Sequence, residues 1–482
     1  MIGYYISRKI AAYRETMRYC TISVLLFFVS PHTTFAADPT KESHSYYKPP
    51  RSYSTTRDPD VPKYSRPGDK LGFDFLNEAT WLDFGVDYRL RTEYRDDDIR
   101  RAEAGLDEPF LHRTRAYLGI HDVIDPFRFA IELQDSRRNN SNFAPDNRDI
   151  NELELIRLQA ELYFDDHLAA DPHGNKRPVS LRYGIQNFEF LDRRLLGNNQ
   201  WRNTANTFLG FRGAIGQDAN DWSLDLLAVQ PLEREMYEWD QRVDGQWLYG
   251  LIGHWRRWED VTLEPFYLVL DQSRNATAAD RTVHSPGLRA YGVFGKTGFD
   301  FDASLIHQFG NNGTQDVDAW GGNVEVGYRF DHSWQPRLSA FYGYASGDRD
   351  PGDNTDNRFE RFFGFGRPWS ANDYIVFENI SAPKLRFELT PTEKLRIDFG
   401  YSWYSLASDT DRFSAANGAR DPSGSSGSRI GHEFDIRARW QITKKLETIL
   451  GYAHFTAGDF TRNVIRPGDN DFAYLEINLS FF

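Results

Sequence analysis

From Trp81 onward, apolar and polar residues alternate with a period of two. Leu82, Phe84, Val86, Tyr88, Leu90, Thr92 and Tyr94 share one face, while Asp83, Gly85, Asp87, Arg89, Arg91, Glu93 and Arg95 share the other. A soluble strand averages about five or six residues. A run this long with arginines along one face therefore predicts a membrane-spanning strand that lines a wet lumen. The pattern returns at Trp320, Val324, Val326 and Tyr328, at Leu395, Ile397, Phe399 and Tyr401, and at Phe434, Ile436, Ala438 and Trp440. Counting such runs gives about eighteen strands, among them 81–95, 110–122, 179–186, 207–215, 374–389, 395–406, 432–442 and 472–482. Tight turns, such as the one at Asp125 and Pro126, alternate with long polar loops at 96–109, 135–151, 187–206, 346–373 and 407–431. The fold expected is all-β: a single transmembrane antiparallel barrel over 79–482 with short periplasmic turns, long extracellular loops and both termini on the periplasmic side.

Upstream the pattern is different. Arg8, Lys9, Arg14 and Arg18 precede an apolar run from Thr21 to Ser30 that is too short to span a bilayer, so residues 1–36 read as a signal peptide cleaved after Ala36. Cys20, the single cysteine, leaves with it, and so no disulfide or thiolate metal site is expected. Residues 37–78 read as an extended periplasmic lead-in, too short for a folded plug. A mean hydropathy of −0.63 rules out a multi-helix membrane protein, and 15% aromatic residues suit half-buried strands. The net charge of −13 offers no basic surface for nucleic acid.

If the apolar sets face lipid, Arg89, Arg91, Arg113, Arg115, Arg182, Arg386, Arg396, Arg437 and Arg439 project into the lumen, accompanied by acids such as Glu93, Glu161, Asp398, Glu433 and Asp435. Guanidinium forks match carboxylates bidentately, so the arginines form a candidate path for an anionic cargo. Pairing across the wall is the alternative. The loop Asn187 to Asn206, with Arg193, Arg194, Trp201 and Arg202, is either a constriction folded inward or a surface loop. Asp348, Asp350, Asp353, Asp356 and Glu360 suggest calcium, but the glycine is misplaced for an EF-hand, so the segment reads as a solvated acidic loop, with calcium bridging to lipopolysaccharide as the alternative. His432-Glu433 lacks the second histidine of a zinc protease, and no Gly-x-Ser-x-Gly elbow is present. No enzyme and no cofactor are expected. The last strand alternates through Phe481, leaving Phe482 out of phase; recognition by the barrel assembly machinery is still expected.

Several segments together resemble the alginate export family of outer-membrane barrels: Leu181-Arg-Tyr-Gly-Ile-Gln186 leading into Arg193-Arg-Leu-Leu-Gly197 and Trp201-Arg-Asn-Thr204, then Tyr344-Ala-Ser-Gly-Asp348, Gly431-His-Glu-Phe-Asp435 and Gly451-Tyr-Ala-His-Phe-Thr-Ala-Gly-Asp-Phe460. The resemblance implies an eighteen-stranded barrel whose arginine-rich lumen passes an acidic exopolysaccharide from the periplasm to the surface. Where the family usually reads Gly-Arg-Gln this chain has Gly184-Ile185-Gln186, and where it reads Phe-Asp-Gly this chain has Phe208-Leu209-Gly210. Uptake of a sugar or small anionic solute by the same barrel is the alternative. The partners implied are the outer membrane with its lipopolysaccharide, the polysaccharide or anionic solute, and a periplasmic secretion scaffold.

Overall fold

The computed structural model describes residues 45–57, 59–101, 103–274 and 279–481. The signal peptide read over 1–36 and the terminal Phe482 lie outside the described residues. Eighteen antiparallel strands form the wall: β1 (Leu82–Asp96), β2 (Phe110–Ile124), β3 (Phe127–Asn139), β4 (Asn151–Leu168), β5 (Arg177–Gln186), β6 (Phe208–Ile215), β7 (Trp222–Glu233), β8 (Gln246–Trp255), β9 (Val261–Gln272), β10 (Arg281–Val293), β11 (Phe299–Asn312), β12 (Gln315–Arg329), β13 (Arg337–Ala345), β14 (Ile380–Thr392), β15 (Leu395–Ser405), β16 (Arg429–Thr443), β17 (Leu446–Ala457) and β18 (Asn470–Phe481). Each pairs with the next, and β18 returns to β1, with Phe481 opposite Val86 and Phe472 opposite Arg95. Closure pairs both sheet edges. No described helix is long and apolar enough to cross a membrane; the crossing is made by strands.

The wall is inverted relative to a soluble protein. Leu305 and Trp440 face outward at 60% and 54% exposure, while Arg89 and Asp398 inside the barrel are at 2% and 0%. Lipid rather than water solvates the outer apolar set, so the alternation read from the sequence sorts directly into two environments. On β7 and β9 the inner face is apolar too: Leu227, Val229, Phe266, Leu268 and Leu270 are buried in one cluster with loop residues. The loops fill the barrel along this apolar stretch, while the same strands carry buried charges elsewhere, such as Asp225 and Glu264.

One expectation about the chain's path is corrected. β14 starts at Ile380 rather than 374, because Asp373 and Asn379 adopt left-handed backbone (φ 59° and 45°) and the apolar run Tyr374, Ile375, Val376 and Phe377 is buried inside the barrel. The described part of the lead-in is extended, as read from the sequence, and lies against the barrel. Residues 46–57 and 59–67 lie as a strap across the periplasmic mouth, touching the wall at successive points. Tyr46 N–H donates to the Ala219 carbonyl (3.0 Å), Arg51 to Gly298 (3.0 Å) and Tyr64 Oη to Glu132 (2.5 Å), and Arg66–Pro67 pairs with Asp83 and Phe84 just below the end of β18. Charged and polar groups hold it, which a period-based reading of the sequence does not detect.

Arg337 of β13 bridges four elements of the wall. It contacts Asp300 at 2.6 Å, Glu325 at 2.7 Å and Glu388 at 2.9 Å, all buried. Replacing it with Met leaves three buried carboxylates facing one another, a loss expected to cost about 3–5 kcal/mol. The check is the thermal unfolding midpoint in detergent, which should fall clearly in Arg337→Met and much less in an Arg396→Met control.

Candidate permeation site in the lumen

Two long connections fold into the barrel. The first is 187–207, between β5 and β6, which the sequence left open as constriction or surface loop; it lies inside. The second is 346–379, between β13 and β14, whose first part was read as an outside loop. Its residues Phe359, Trp369, Tyr374 and Phe377 are buried. An aromatic density this high is too apolar for an extracellular loop, and that signal was present in the sequence. The loops meet directly. Phe363 N–H donates to the Leu195 carbonyl (3.1 Å), Asn206 Nδ2 to the Phe363 carbonyl (3.2 Å), and Arg202 pairs with Asp373 (3.1 Å). At their crossing Gly364 comes so close that a Cβ would lie 1.7 Å from the Arg194 carbonyl oxygen, so only glycine fits.

Four of the predicted lumen arginines hold the first loop rather than standing free. Arg89 donates to the carbonyls of Gln200 (2.9 Å) and Arg202 (2.8 Å) and to Asn203 Oδ1 (3.0 Å). Arg91 donates to the Trp201 carbonyl (2.6 Å), with Glu93 and Glu476 as its counter-ions. Arg113 reaches the Gln200 carbonyl (3.1 Å), and Arg115 reaches Gln134 and the Gln200 side chain. Trp201 is clasped between Arg91 and Arg367, 4.1 and 3.8 Å from its ring centre, with its edge on Tyr474. Asn203 finishes the anchorage, its Nδ2 donating to the carbonyls of His112, Arg137 and Asp149.

The other predicted residues fall into three groups. Arg386 and Arg437 share Asp398, and Arg386 also contacts Asp435, so their charges are matched by the wall. Arg182 pairs with Glu161 (2.7 Å) and with Asp60 of the strap (3.0 Å), while Arg396 lies over the Tyr53 ring of the strap. In the loop, Arg194 bonds Asp192 and lies over Phe341 and Trp369, and Arg193 donates to the Ser54 carbonyl. Arg439 also lines the open space, and its buried Nε, like those of Arg89, Arg113, Arg193 and Arg194, has no hydrogen-bond partner.

Between the loops and the strap a cavity of about 490 Å³ remains. Its walls include Arg113, Arg115, Arg193, Arg367, Lys384, Arg439, Lys444 and Lys445. Arg113, Arg193, Arg367 and Lys384 donate to carbonyl or hydroxyl oxygens, which are neutral acceptors. They hold neutral oxygens where Arg386 and Arg437 hold carboxylates, although Asp87, Asp435 and Glu476 line the same cavity. Sequence reading missed Arg367, Lys444 and Lys445, which only the inward loop and the mouth geometry bring to one space, and Lys384, which the alternation of β14 places on the inward face of Arg386.

Asp373 ties the second loop to the first through Arg202 and to the 97–109 loop through Arg100 (3.2 Å). Burial alone would raise its pKa, but Arg202 and Arg100 outweigh that and hold the carboxyl below its ordinary value of 3.8. A depressed carboxylate contributes stability above its unfolded pKa and loses it as pH falls through the folded one. Conductance is therefore expected to stay constant from pH 7 to 5 and to rise only below 3.8, in bilayer recordings at fixed salt. The acidic segment around Asp348 is used internally: Glu360 pairs with Arg281, Asp356 accepts from Asn312, and Asp353 accepts from the Thr355 N–H. Among the described residues no three histidine, cysteine, aspartate or glutamate side chains are arranged to hold a metal ion.

The fold and the inward loops now stand beside known proteins. The sequence model described as Alginate export matches residues 80–470. The chain belongs to the alginate export family. No curated protein matches the sequence. Among solved structures the barrel is similar to the Pseudomonas aeruginosa proteins OpdQ (13% identity, 83% of this chain and 97% of that one, TM-score 0.56), OpdK (13%, 83% and 98%, 0.55) and the outer membrane protein OprD (12%, 82% and 93%, 0.52). At such identities the likeness is one of fold. This alginate export family member is an outer-membrane β-barrel channel of the porin type, and family and fold alike are those of a channel rather than of an enzyme class.

Proposed function

We propose that the channel passes an anionic polysaccharide of the uronate type, without energy coupling, from the periplasm to the cell surface. One observation carries the reading: among the described residues fifteen lysines and arginines against eight aspartates and glutamates line the lumen cavity, and Arg113 and Arg367 among them donate to neutral oxygens, so a carboxylate arriving there meets net positive charge. Neutral acceptors leave each guanidinium able to form a charge-assisted bond and then release it to the next. The test is ion selectivity and block in planar bilayers. An anion-selective channel blocked by short polyuronates, and not by neutral dextrins, supports the proposal; cation selectivity with no polyuronate block overturns it.

A second reading is uptake of a small carboxylate. About 490 Å³ is the size of a small-molecule site, and OpdK, which shares the fold, has been solved with vanillate. A polymer needs the loops to part, whereas a small solute does not. Block by monomeric carboxylates at the same concentrations as polyuronates favours this second reading.

A further inference from the structure

The strap that covers the periplasmic mouth carries a specific contact at its centre. Asp60 presents each of its carboxylate oxygens to a different guanidinium: Oδ1 to Arg212 Nη1 at 2.9 Å, and Oδ2 to Arg182 Nη1 at 3.0 Å. Both arginines are set by the wall in the opposite direction. Arg182 Nε is taken by Glu161 (2.7 Å), and Arg212 Nε and Nη2 are taken by Asp225 (3.0 and 2.8 Å). Since β5 and β6 pair Arg182 directly with Arg212, the two remaining Nη1 groups converge on one point inside the mouth. Five donors in a fixed fork make such a pair a preorganised receptor for one carboxylate.

We infer that Arg182 and Arg212 form a carboxylate-binding site at the periplasmic mouth, that Asp60 of the strap fills it in cis, and that the carboxylate of a hexuronate cargo takes it by displacing the strap. The site rests on the proposed acidic cargo only for its natural ligand. Three further observations support displacement. The Asp60 side chain is 42% exposed while Arg182 and Arg212 are at 17% and 11%, so the occupant is accessible to competition and the receptor is embedded. Near its middle the strap is held to the wall by ion pairs and polar contacts, including Arg51 with Asp300 (3.6 Å) and Arg57 with Asp218 (3.9 Å). Contacts of that kind are exchanged for others at little net cost in a wet lumen. At its base the strap crosses Gly85, where a Cβ would lie 2.6 Å from the Tyr64 carbonyl oxygen, so the wall is shaped to receive it and a side chain there pushes it off. Burial alone would raise the Asp60 carboxyl, but Arg212 and Arg182 hold it well below the usual carboxylate range, as they would hold any carboxylate in its place.

The test uses the full chain in proteoliposomes, with Cys20→Ser and a spin label on Val61→Cys, a strap position that is exposed. In the otherwise native chain the label is expected to be immobilised, and sodium glucuronate is expected to shift it to the mobile form. Equal ionic strength of sodium chloride, or neutral glucose, is expected to leave it immobile. Asp60→Ala and Gly85→Val are expected to be mobile from the outset, and Asp60→Glu to restore immobility. In Arg182→Gln/Arg212→Gln the response to glucuronate should be lost. The inference is overturned if chloride mobilises the label as well as glucuronate does, if the double variant keeps a glucuronate response, or if Asp60→Ala stays immobile. A folded barrel is verified in each variant by heat-modifiable gel migration. Polyuronate block of conductance, which tests the proposed function, depends on the cavity cations and is read separately, so either result stands without the other.

Discussion

A variant lacking residues 188–205 is expected to conduct severalfold more than the full chain. That segment carries Gln200, Trp201, Arg202 and Asn203, whose backbone and side chains receive Arg89, Arg91, Arg113 and Arg115 and thereby fill the cross-section of the barrel. Deletion removes the loop acceptors of those guanidiniums and leaves Arg91 and Arg115 only their wall partners Glu93, Glu476 and Gln134, a loss that in a dry interior would cost about 1–3 kcal/mol for each unsatisfied group. The emptied lumen admits water, however, and the wall keeps its own strand ladder, so the barrel is expected to survive. Heat-modifiable gel migration checks survival, and single-channel conductance checks width. The gentler Asn203→Ala removes three bonds to the carbonyls of His112, Arg137 and Asp149 and should give frequent openings to a larger level without deletion. Unchanged conductance in both variants would assign the constriction to the 346–379 loop alone.

The second large effect concerns selectivity, and the sign of the total charge is no guide to it. Arg439, Lys444 and Lys445 line the cavity on β16 and the turn that follows. A unit charge about 7 Å from a permeating ion, at an effective dielectric of 20, acts with on the order of 2 kcal/mol. Exposed loop charges are screened beyond about 8 Å at physiological salt. Replacing Arg439, Lys444 and Lys445 together with Gln should therefore lower the anion-to-cation permeability ratio by about tenfold or more, as read from reversal potentials in a salt gradient. The control is Arg437→Gln/Asp398→Asn, which removes a matched pair (3.0 Å) and should leave selectivity in place while lowering thermal stability. If the triple variant keeps its selectivity, the cations of this rim do not face the path.

The difference between these two sets shows why lumen residues are only partly legible from the chain. Alternation assigns Arg437 and Arg439 to the same inward face of β16, and nothing local separates them. On the neighbouring strand β15, the register that puts Asp398 opposite Arg437 neutralises one, while Arg439 faces Arg396 and the open cavity. Arg89 and Arg113 are likewise inward by pattern, but only the loop that returns from β5 decides that they hold carbonyls instead of cargo.

What the sequence determined by itself was everything that follows from short-range periodicity: the eighteen strands, their inward and outward faces, the short and long ends of the barrel, and through its motifs the family. Lipid outside and water inside impose a period of two on each strand independently of the others, so each strand is readable alone. The tertiary structure decided the rest: the folding of 187–207 and 346–379 into the lumen, the β7–β9 wall that they cover, and the strap across the mouth. The decisive contacts there, Asp60 with Arg212, Arg202 with Asp373 and the Gly364 crossing, join residues more than a hundred positions apart. Such contacts form only after closure has fixed the wall, and have no periodic signature along the chain.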